Sequence, residues 1–157
     1  MSSIASVVPG SSAMILPATW RDLNAVRQIE NACFPLDGWP LLDIISVLTL
    51  PNILRLKAMQ DGRTVGFIAC DQSRSEGVVW IATIGVLPEF QRQGIGATLI
   101  EAAETRTTLP RMRLNVRPSN HTAIRLYRRL GYEQVSNWPH YYQNGEDAAI
   151  YEKLLRR

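Results

Sequence analysis

The chain has 157 residues, of which 46% are hydrophobic and 20% are charged, and its formal net charge is +3. This length and composition are typical of one ordinary globular domain with a sizeable core, and they exclude a low-complexity chain. The mild positive charge suits an anionic small ligand, but no basic run interleaved with aromatic residues predicts nucleic-acid binding. No apolar stretch reaches membrane-spanning length.

Cysteine and histidine usage gives no sign of a disulfide or a metal. Cys33 and Cys70 are far apart and lack metal or redox spacing, so we expect free thiols in a reducing, cytoplasmic compartment. The two histidines have no partner at metal-ligand spacing, and we therefore predict no metal. We expect residues 1–13 to form a flexible tail without a signal peptide, and residues 14–157 to form a single domain.

A capping pattern begins the first predicted helix. Thr19 is followed three residues later by Asp22, and each side chain can bond the other's backbone N–H. An apolar stripe at helical spacing then continues to about Ala32. Pro40 can begin the second helix, predicted over Leu41–Leu50, because its missing N–H costs nothing in the first turn.

Two further helices are predicted in the second half of the chain. The third follows a glycine loop and ends near Thr107, before a proline. The fourth runs from His121 to Leu130, with Ser119 or Asn120 as its N-cap and Gly131 as its C-cap.

Apolar runs bounded by turn residues predict the strands. Asp61-Gly62 lies between two of these runs and favours a tight hairpin. Hairpin-connected strands come first and strand–helix–strand units follow, which predicts an α+β fold with a central mixed sheet. The runs are Met14–Pro17, Ile53–Met59, Thr64–Cys70, Val78–Val86, Met112–Val116, Tyr132–Val135 and Ala148–Leu154.

The stretch Ile84–Ile100 reads as a strand, a turn, a glycine loop and a helix. Gly94 and Gly96 allow the backbone to approach a ligand closely. The unpaired N–H groups of the first helical turn, together with Arg92, can bind a pyrophosphate. For the glycine pair alone, a tight strand-to-helix turn is an equally good interpretation. The loop lacks the Gly-Lys-Ser/Thr ending of a P-loop and the third glycine of a dinucleotide-binding fold, which argues against both classes.

The full string resembles a known family. Gln91–Ala97 is similar to the Q/R-x-x-G-x-G/A motif of the GNAT superfamily of acetyl-CoA-dependent N-acetyltransferases. Downstream matches resemble its RimI-like branch, whose members acetylate the N-terminal alanine of ribosomal proteins. The resemblance covers roughly Leu16 to the C-terminus. Its downstream motifs are Leu114–Asn120, Ala123–Tyr127, Leu130–Tyr132, Tyr141–Tyr142 and Gly145–Ala148.

The resemblance implies a GNAT fold, which is a central, mixed, mostly antiparallel twisted sheet with flanking helices. Two neighbouring strands, one ending at Val86 and one starting near Met112, splay apart in this fold to admit the cofactor. It also implies acetyl-CoA as co-substrate and direct attack by a primary amine, with no enzyme nucleophile. We expect a monomer or homodimer that acts on a protein N-terminus or a small amine, without nucleic-acid or membrane partners.

The resemblance also implies the residues that hold acetyl-CoA. The backbone at the end of the predicted strand Val78–Val86 would pair with the pantetheine arm and polarise the thioester. Gly85 would ease a bulge there. The glycine loop would hold the pyrophosphate. Asn120 would contact the pantetheine arm, with a plain helix cap as the alternative. The predicted set is Ile84, Gly85, Val86, Arg92, Gln93, Gly94, Ile95, Gly96, Ala97 and Asn120.

The implied catalytic residues are Tyr127 and Asn115. Tyr127 matches the family's acid for the departing thiolate, with core packing as the alternative. Asn115 stands where the RimI-like pattern has a glutamate base, and an asparagine can only orient a water. The base is therefore another group, an ordered water chain, or absent because the amine arrives neutral. Other candidate bases, each more simply a solvated side chain, are Glu30, Asp37, His121 and His140; His140 stands out because it precedes the tyrosine pair.

The implied acceptor-binding residues are Phe34, Trp39, Tyr141 and Tyr142. In the family, the loop between the first two helices forms one wall of the acceptor groove, and the tyrosine pair lies on a hairpin over it. Here Gly38-Trp39-Pro40 departs from the family pattern, which leaves the acceptor open. Core or sheet packing is the alternative for these aromatic residues. Two alternatives to N-terminal acetylation stay open: acetylation of a small-molecule amine, and a non-catalytic acyl-CoA-binding module.

Overall fold

A computed structural model describes residues 6–7, 12–35 and 38–155. The chain forms two compact units, one comprising residues 1–71 and 82–107, the other residues 72–81 and 108–157. The single domain expected over residues 14–157 stays a prediction. No helix among the described residues has the length and apolar character needed to cross a bilayer.

The described residues form eight strands and four α-helices. Short 3₁₀ turns precede the first helix and follow the fifth strand. All the predicted helices and strands are present, with bounds within about three residues of those predicted. In chain order the elements are β1 (Ser6–Val7), β2 (Met14–Pro17), α1 (Leu23–Cys33), α2 (Leu41–Thr49), β3 (Ile53–Gln60), β4 (Arg63–Ser73), β5 (Val78–Val86), α3 (Ile95–Arg106), β6 (Arg111–Val116), α4 (His121–Arg129), β7 (Glu133–Trp138) and β8 (Ala148–Leu154).

The strands of the first unit pair in antiparallel fashion. β2 pairs with β1 and β3, β3 also pairs with β4, and β5 follows β4 in the strand order. The hairpin between β3 and β4 turns at Asp61 and Gly62, whose φ angles of 53° and 76° are those of a tight two-residue turn, as predicted. β1 lies within the predicted tail; residues 1–5 and 8–11 lie outside the described residues, and the tail's flexibility stays a prediction.

The second unit contains the single parallel ladder recorded among the described residues. The first residues of β5 pair with β6, from Val78↔Arg111 to Trp80↔Arg113. β6 then pairs antiparallel with β8 as far as Val116↔Ala149, and β7 pairs with the other edge of β8. The β5–β6 ladder ends at Trp80, although β5 continues to Val86. A mixed, mostly antiparallel sheet is thus confirmed, and the short ladder is what the predicted splay requires.

Local caps fix the helix ends as the sequence predicts. Thr19 and Asp22 form the reciprocal capping box before α1. The Asn120 side chain accepts the Ala123 N–H at 3.2 Å and begins α4. Gly131 follows α4 with φ 99°, a left-handed conformation that glycine adopts without strain.

The core of the first unit depends on a glycine where α3 meets β4. A Cβ added at Gly66 would lie 3.2 Å from Leu99 Cδ1 and 3.3 Å from Ile95 Cγ2. Both neighbours are fully buried. The helix therefore approaches the strand as closely as a missing side chain allows. In the second unit the largest fully buried side chains are Met112, Tyr132 and Tyr151, with Leu114 next to them in burial.

We predict that Gly66→Ala destabilises the protein by about 1–3 kcal/mol, because the new methyl group overpacks this contact. Urea unfolding monitored by circular dichroism measures the change. The double variant Gly66→Ala/Leu99→Val should lose less stability than the sum of the two single variants, because shortening Leu99 makes room for the methyl group. Strictly additive losses would contradict this packing account.

Candidate active site

The predicted tyrosine pair lies in the loop between β7 and β8, and Tyr142 is fixed there by three contacts. The Arg117 guanidinium lies 4.0 Å from the centroid of its ring. Asn115 Nδ2 donates a hydrogen bond to Tyr142 Oη at 3.1 Å. The Tyr142 N–H donates to the Glu146 carbonyl at 3.1 Å, which closes the turn. The structure thus brings together Asn115 and Tyr142, whose roles were inferred from separate motifs.

Two carboxylates hold this loop, and their roles were not predicted. Glu146 accepts from Arg117 at 2.9 Å and from the Ser119 N–H at 3.0 Å. Asp147 accepts from the His140 N–H and from Asn137, both at 3.0 Å. Hydrogen bonds from Ser119 and Arg117 lower the pKa of Glu146, and those from His140 and Asn137 lower the pKa of Asp147. The Gly145–Ala148 motif, which contains both carboxylates, was the sequence signal that could have identified them.

His140, the base candidate singled out from the sequence, is part of the same turn. Its Nδ1 lies 3.2 Å from the Gly145 carbonyl oxygen. A carbonyl can only accept, so this bond places the ring proton on Nδ1 and leaves Nε2 free to accept one. His140 is exposed, and so is His121 at the start of α4, as expected for solvated side chains. Asp37, another candidate, lies outside the described residues.

A row of four aromatic rings crosses the second unit, and sequence reasoning missed half of it. Trp80 and Trp138 have ring centroids 5.6 Å apart, Trp138 and Tyr141 5.5 Å, and Tyr141 and Tyr142 5.0 Å. Trp138 and Tyr141 are 39% and 51% exposed. Because Trp80 and Trp138 lie on strands far apart in sequence, no local pattern could have paired them.

Tyr127 is buried in the second unit, on the inner face of α4. It is 8% exposed, and its ring packs edge-to-face on Tyr132 at 6.2 Å. Burial, with a smaller contribution from Tyr142, raises the pKa of Tyr127 to about 12. The phenol therefore keeps its proton at neutral pH, as an acid must. The core-packing alternative describes its position correctly but does not exclude this chemistry.

The glycine loop of the first unit presents free backbone donors. Gly94 precedes α3 with φ 81°, and a Cβ there would have no atom within 4 Å. No side chain caps α3, and the N–H groups of Ile95, Gly96 and Ala97 have no hydrogen-bond partner among the described residues. Arg92 and Gln93 are exposed just before the helix. This is the arrangement that binds a phosphate.

The end of β5 lies against the last turn of α1. A Cβ at Gly85 would lie 3.0 Å from Ile29 Cγ2 and 3.1 Å from Cys33 Sγ, so the glycine permits this close approach. The Cys33 thiol donates to the Val86 carbonyl at 3.2 Å. These contacts give Gly85 a packing role beside the predicted bulge, which stays a prediction. Phe34 and Trp39, in the loop that follows α1, are half-buried rather than core residues.

Asn120 keeps both of its interpretations, as a helix cap and as a cofactor contact. Asn120 is the cap of α4 that the alternative foresaw, and its contact with a cofactor stays a prediction. Among the described residues, no group of three or more His, Cys, Asp or Glu side chains could hold a metal ion. The expectation that no metal takes part stays a prediction.

A family model matches the chain over most of its length. Residues 23–132, which include the glycine loop, Asn115 and Tyr127, match the model described as the acetyltransferase (GNAT) family. The chain belongs to the GNAT acetyltransferase family. The expected fold and enzyme class are thereby confirmed, and the protein is an N-acetyltransferase of the GNAT type.

Relatives cover nearly the whole of this acetyltransferase. An N-alpha-acetyltransferase of Sulfurisphaera tokodaii is 39% identical, over 90% of this chain and 92% of that protein. The N-alpha-acetyltransferase 50 of Danio rerio is 30% identical, over 88% and 86%. The solved structure of the ribosomal-protein-S18-alanine N-acetyltransferase from Escherichia coli has a TM-score of 0.83 and 28% identity, over 92% and 95%.

We predict that Glu146→Gln and Asp147→Asn each accelerate amide hydrogen exchange at Tyr142 and Gly145 severalfold at pH 7, because each removes a charged acceptor from the turn. The exposed Glu133→Gln is the matched control and should leave these amides unchanged. Since both pKa values are lowered, the contribution of these carboxylates is complete above about pH 5 and is lost only as the pH falls through the lowered values. Unchanged exchange in both variants would contradict this account of the turn.

Proposed function

We propose that this enzyme transfers the acetyl group of acetyl-CoA to the α-amine of a peptide or protein N-terminus. The names of its relatives support this acceptor class, since two are N-alpha-acetyltransferases and a third acts on an alanine of ribosomal protein S18. The observation that carries the proposal is the anchored tyrosine hairpin. Arg117 and Asn115 hold Tyr142 at a site where a peptide backbone could be bound.

Acetyl-CoA fits the donor groups of the first unit. The free N–H groups of Ile95, Gly96 and Ala97 and the charge of Arg92 suit a pyrophosphate. The backbone of Ile84–Val86 would pair with the pantetheine arm and stabilise the carbonyl oxygen as it gains charge. These groups bind and polarise the thioester without any enzyme nucleophile.

The reaction needs one bond made, one broken and two proton transfers. The neutral amine attacks the thioester carbon, and the C–S bond breaks to release the CoA thiolate. Tyr127, whose phenol is fully protonated at neutral pH, gives its proton to that sulfur. The amine nitrogen loses its proton to another group or to water.

The absence of a carboxylate at position 115 favours an α-amine. Asn115 donates through Nδ2 to Tyr142, which leaves only its Oδ1 to orient the amine or a water. An α-amine with a pKa near 7.7–8.0 is about one-tenth neutral at pH 7, whereas a lysine amine near 10.4 is neutral in fewer than about one molecule in a thousand. An enzyme without a base at this position therefore accepts the α-amine more readily.

We also propose a cytoplasmic location and a monomeric or homodimeric assembly for this enzyme. Cys33 and Cys70 are free thiols, which supports a reducing cytoplasmic setting. A monomer or homodimer without nucleic-acid or membrane partners stays our expectation.

Thiol release from acetyl-CoA, measured across peptides with different N-terminal residues, tests the function. Lysine peptides with blocked N-termini and polyamines serve as matched acceptors. Release with unblocked peptides supports the proposal. Release with polyamines alone would overturn it in favour of a small-molecule amine.

We predict that Tyr127→Phe lowers kcat by about 10²-fold or more while leaving the Kd for acetyl-CoA within about twofold, because only the proton donor is lost. Stopped-flow thiol release and calorimetry measure the two quantities. Tyr151→Phe, another buried tyrosine of the second unit, should keep near-normal turnover. An unaltered kcat in Tyr127→Phe would remove the assignment.

A further inference from the structure

Trp138, which sequence reasoning missed, has no role in the function proposed above. It ends β7 and is 39% exposed, although tryptophan is a side chain that gains much from burial. Its ring lies between those of Trp80 and Tyr141, with centroids at 5.6 and 5.5 Å. Exposed apolar clusters on soluble proteins often mark binding surfaces. The surroundings of this ring decide what it could bind.

The strand register places Trp138 on the same face of the sheet as the proposed acceptor site. Asn115 of β6 is paired with Ile150 of β8, and Trp138 is paired with Ala148, two residues earlier. Side chains directly opposite each other in a ladder share a face, and so do residues two apart along a strand. Asn115 in turn donates to the Tyr142 hydroxyl. The aromatic row and the proposed acceptor site are therefore parts of one continuous surface.

Trp80 reaches this surface from the other side of the sheet. It is paired with Arg113, which lies two residues before Asn115 and so shares its face. Because β6 and β8 lie between β5 and β7 in the strand order, the Trp80 and Trp138 rings meet by leaning over two intervening strands. Ile150 of β8, on the same face, is only 2% exposed. These side chains together give the face an apolar surface.

The charged groups at the two ends of the row are already paired. Two guanidiniums lie 5.9 and 4.0 Å from the centroids of the end rings, and neither middle ring carries such a cation among the described residues. Arg113 bonds Glu152, and Arg117 bonds Glu146. Both arginines therefore have a carboxylate and do not need an acidic ligand, while a basic side chain between them would approach two like charges. An uncharged, apolar side chain suits the middle of the row best.

We propose that Trp138 and Tyr141 form a subsite that binds an apolar side chain of the acceptor peptide, downstream of its N-terminal residue. The proposal rests on the proposed function, in which Tyr142 holds the start of the peptide. The two ring steps from Tyr142 to Trp138 measure 5.0 and 5.5 Å. They correspond to at most about three residues of extended chain, at roughly 3.3 Å each. The apolar side chain therefore belongs to the second, third or fourth residue of the peptide.

The subsite selects its ligand by burial of apolar surface. A side chain of the size of leucine removes its own surface and part of both rings from water, whereas serine buries little apolar area. Truncation of a tryptophan or tyrosine at the centre of an interface is typically among the costliest changes to binding. Because the subsite does not touch the reacting atoms, its loss should raise the KM of the acceptor and not that of acetyl-CoA.

Acetyl transfer to a set of peptides tests the proposal. All share the N-terminal residue that the wild type acetylates fastest, and one parent peptide has serine at the second to fourth positions. Three others carry a single leucine at one of these positions, and three carry a single lysine. We expect one leucine peptide to exceed the parent about tenfold in kcat/KM, through a lower acceptor KM. Trp138→Thr, which keeps a strand-forming residue on β7, should reduce this ratio to about twofold or less, with the acetyl-CoA KM within about twofold.

Leu154→Ala is the matched control for the loss of an exposed apolar side chain. Leu154 is 70% exposed and lies six residues along β8 from Ala148, the partner of Trp138, which is about 20 Å of strand. This variant should keep the full preference for leucine. Trp138→Phe should keep most of it, because a phenyl ring still covers the ligand, and Tyr141→Ser should lower it. Circular dichroism checks the fold of each variant.

Three results would overturn the proposal: a wild-type preference for leucine below about twofold, a preference that survives in Trp138→Thr, or a stronger preference for lysine than for leucine. If the wild type acetylates no peptide, the proposed function fails, and calorimetry with the N-acetylated forms of the same peptides tests the subsite alone. A Kd about tenfold lower for a leucine peptide than for the parent, lost in Trp138→Thr, would support the subsite independently of turnover. Equal Kd values would overturn it as well.

Discussion

The close approach of α1 to the end of β5 is the constraint on which the site of the first unit depends. Gly85 allows it, because a Cβ there would lie 3.0 Å from Ile29 Cγ2 and 3.1 Å from Cys33 Sγ, closer than ordinary van der Waals contact. Once the helix lies on the strand, Cys33 bonds Val86 and Glu30 bonds Thr83. The backbone proposed to hold the thioester and the last turn of α1 are thereby fixed by the same few contacts.

Burial and hydrogen bonding set opposite protonation states in the second unit. Tyr127 is shut off from water, which raises the pKa of its phenol and keeps it protonated at neutral pH. Glu146 and Asp147 lie near the surface with several donors each, which keeps both charged and holds the tyrosine hairpin. Asn115 adds a neutral donor to Tyr142 at the position where the RimI-like pattern has a glutamate base. Together these residues suit an acceptor that needs little help to lose its proton.

Local chemistry was predictable from the sequence, and long-range contacts were not. The Thr19–Asp22 cap and the Asp61-Gly62 hairpin depend on neighbouring residues, so their patterns predicted them. The motif match predicted the family correctly, and the site residues that it implies stay a prediction. The Trp80–Trp138 contact and the burial of Glu30 depend on which strands and helices meet, and no spacing encodes that meeting. Glu30 was consequently misjudged as a surface residue.

The central claim is that this acetyltransferase selects an amine that is already partly neutral. The most direct measurement uses one peptide that carries both a free α-amine and an internal lysine, incubated with acetyl-CoA at pH 7 and mapped by tandem mass spectrometry. We predict a single acetyl group on the N-terminal nitrogen. Acetylation of the lysine at a comparable rate would contradict the claim, because it would require a base that activates a far more basic amine.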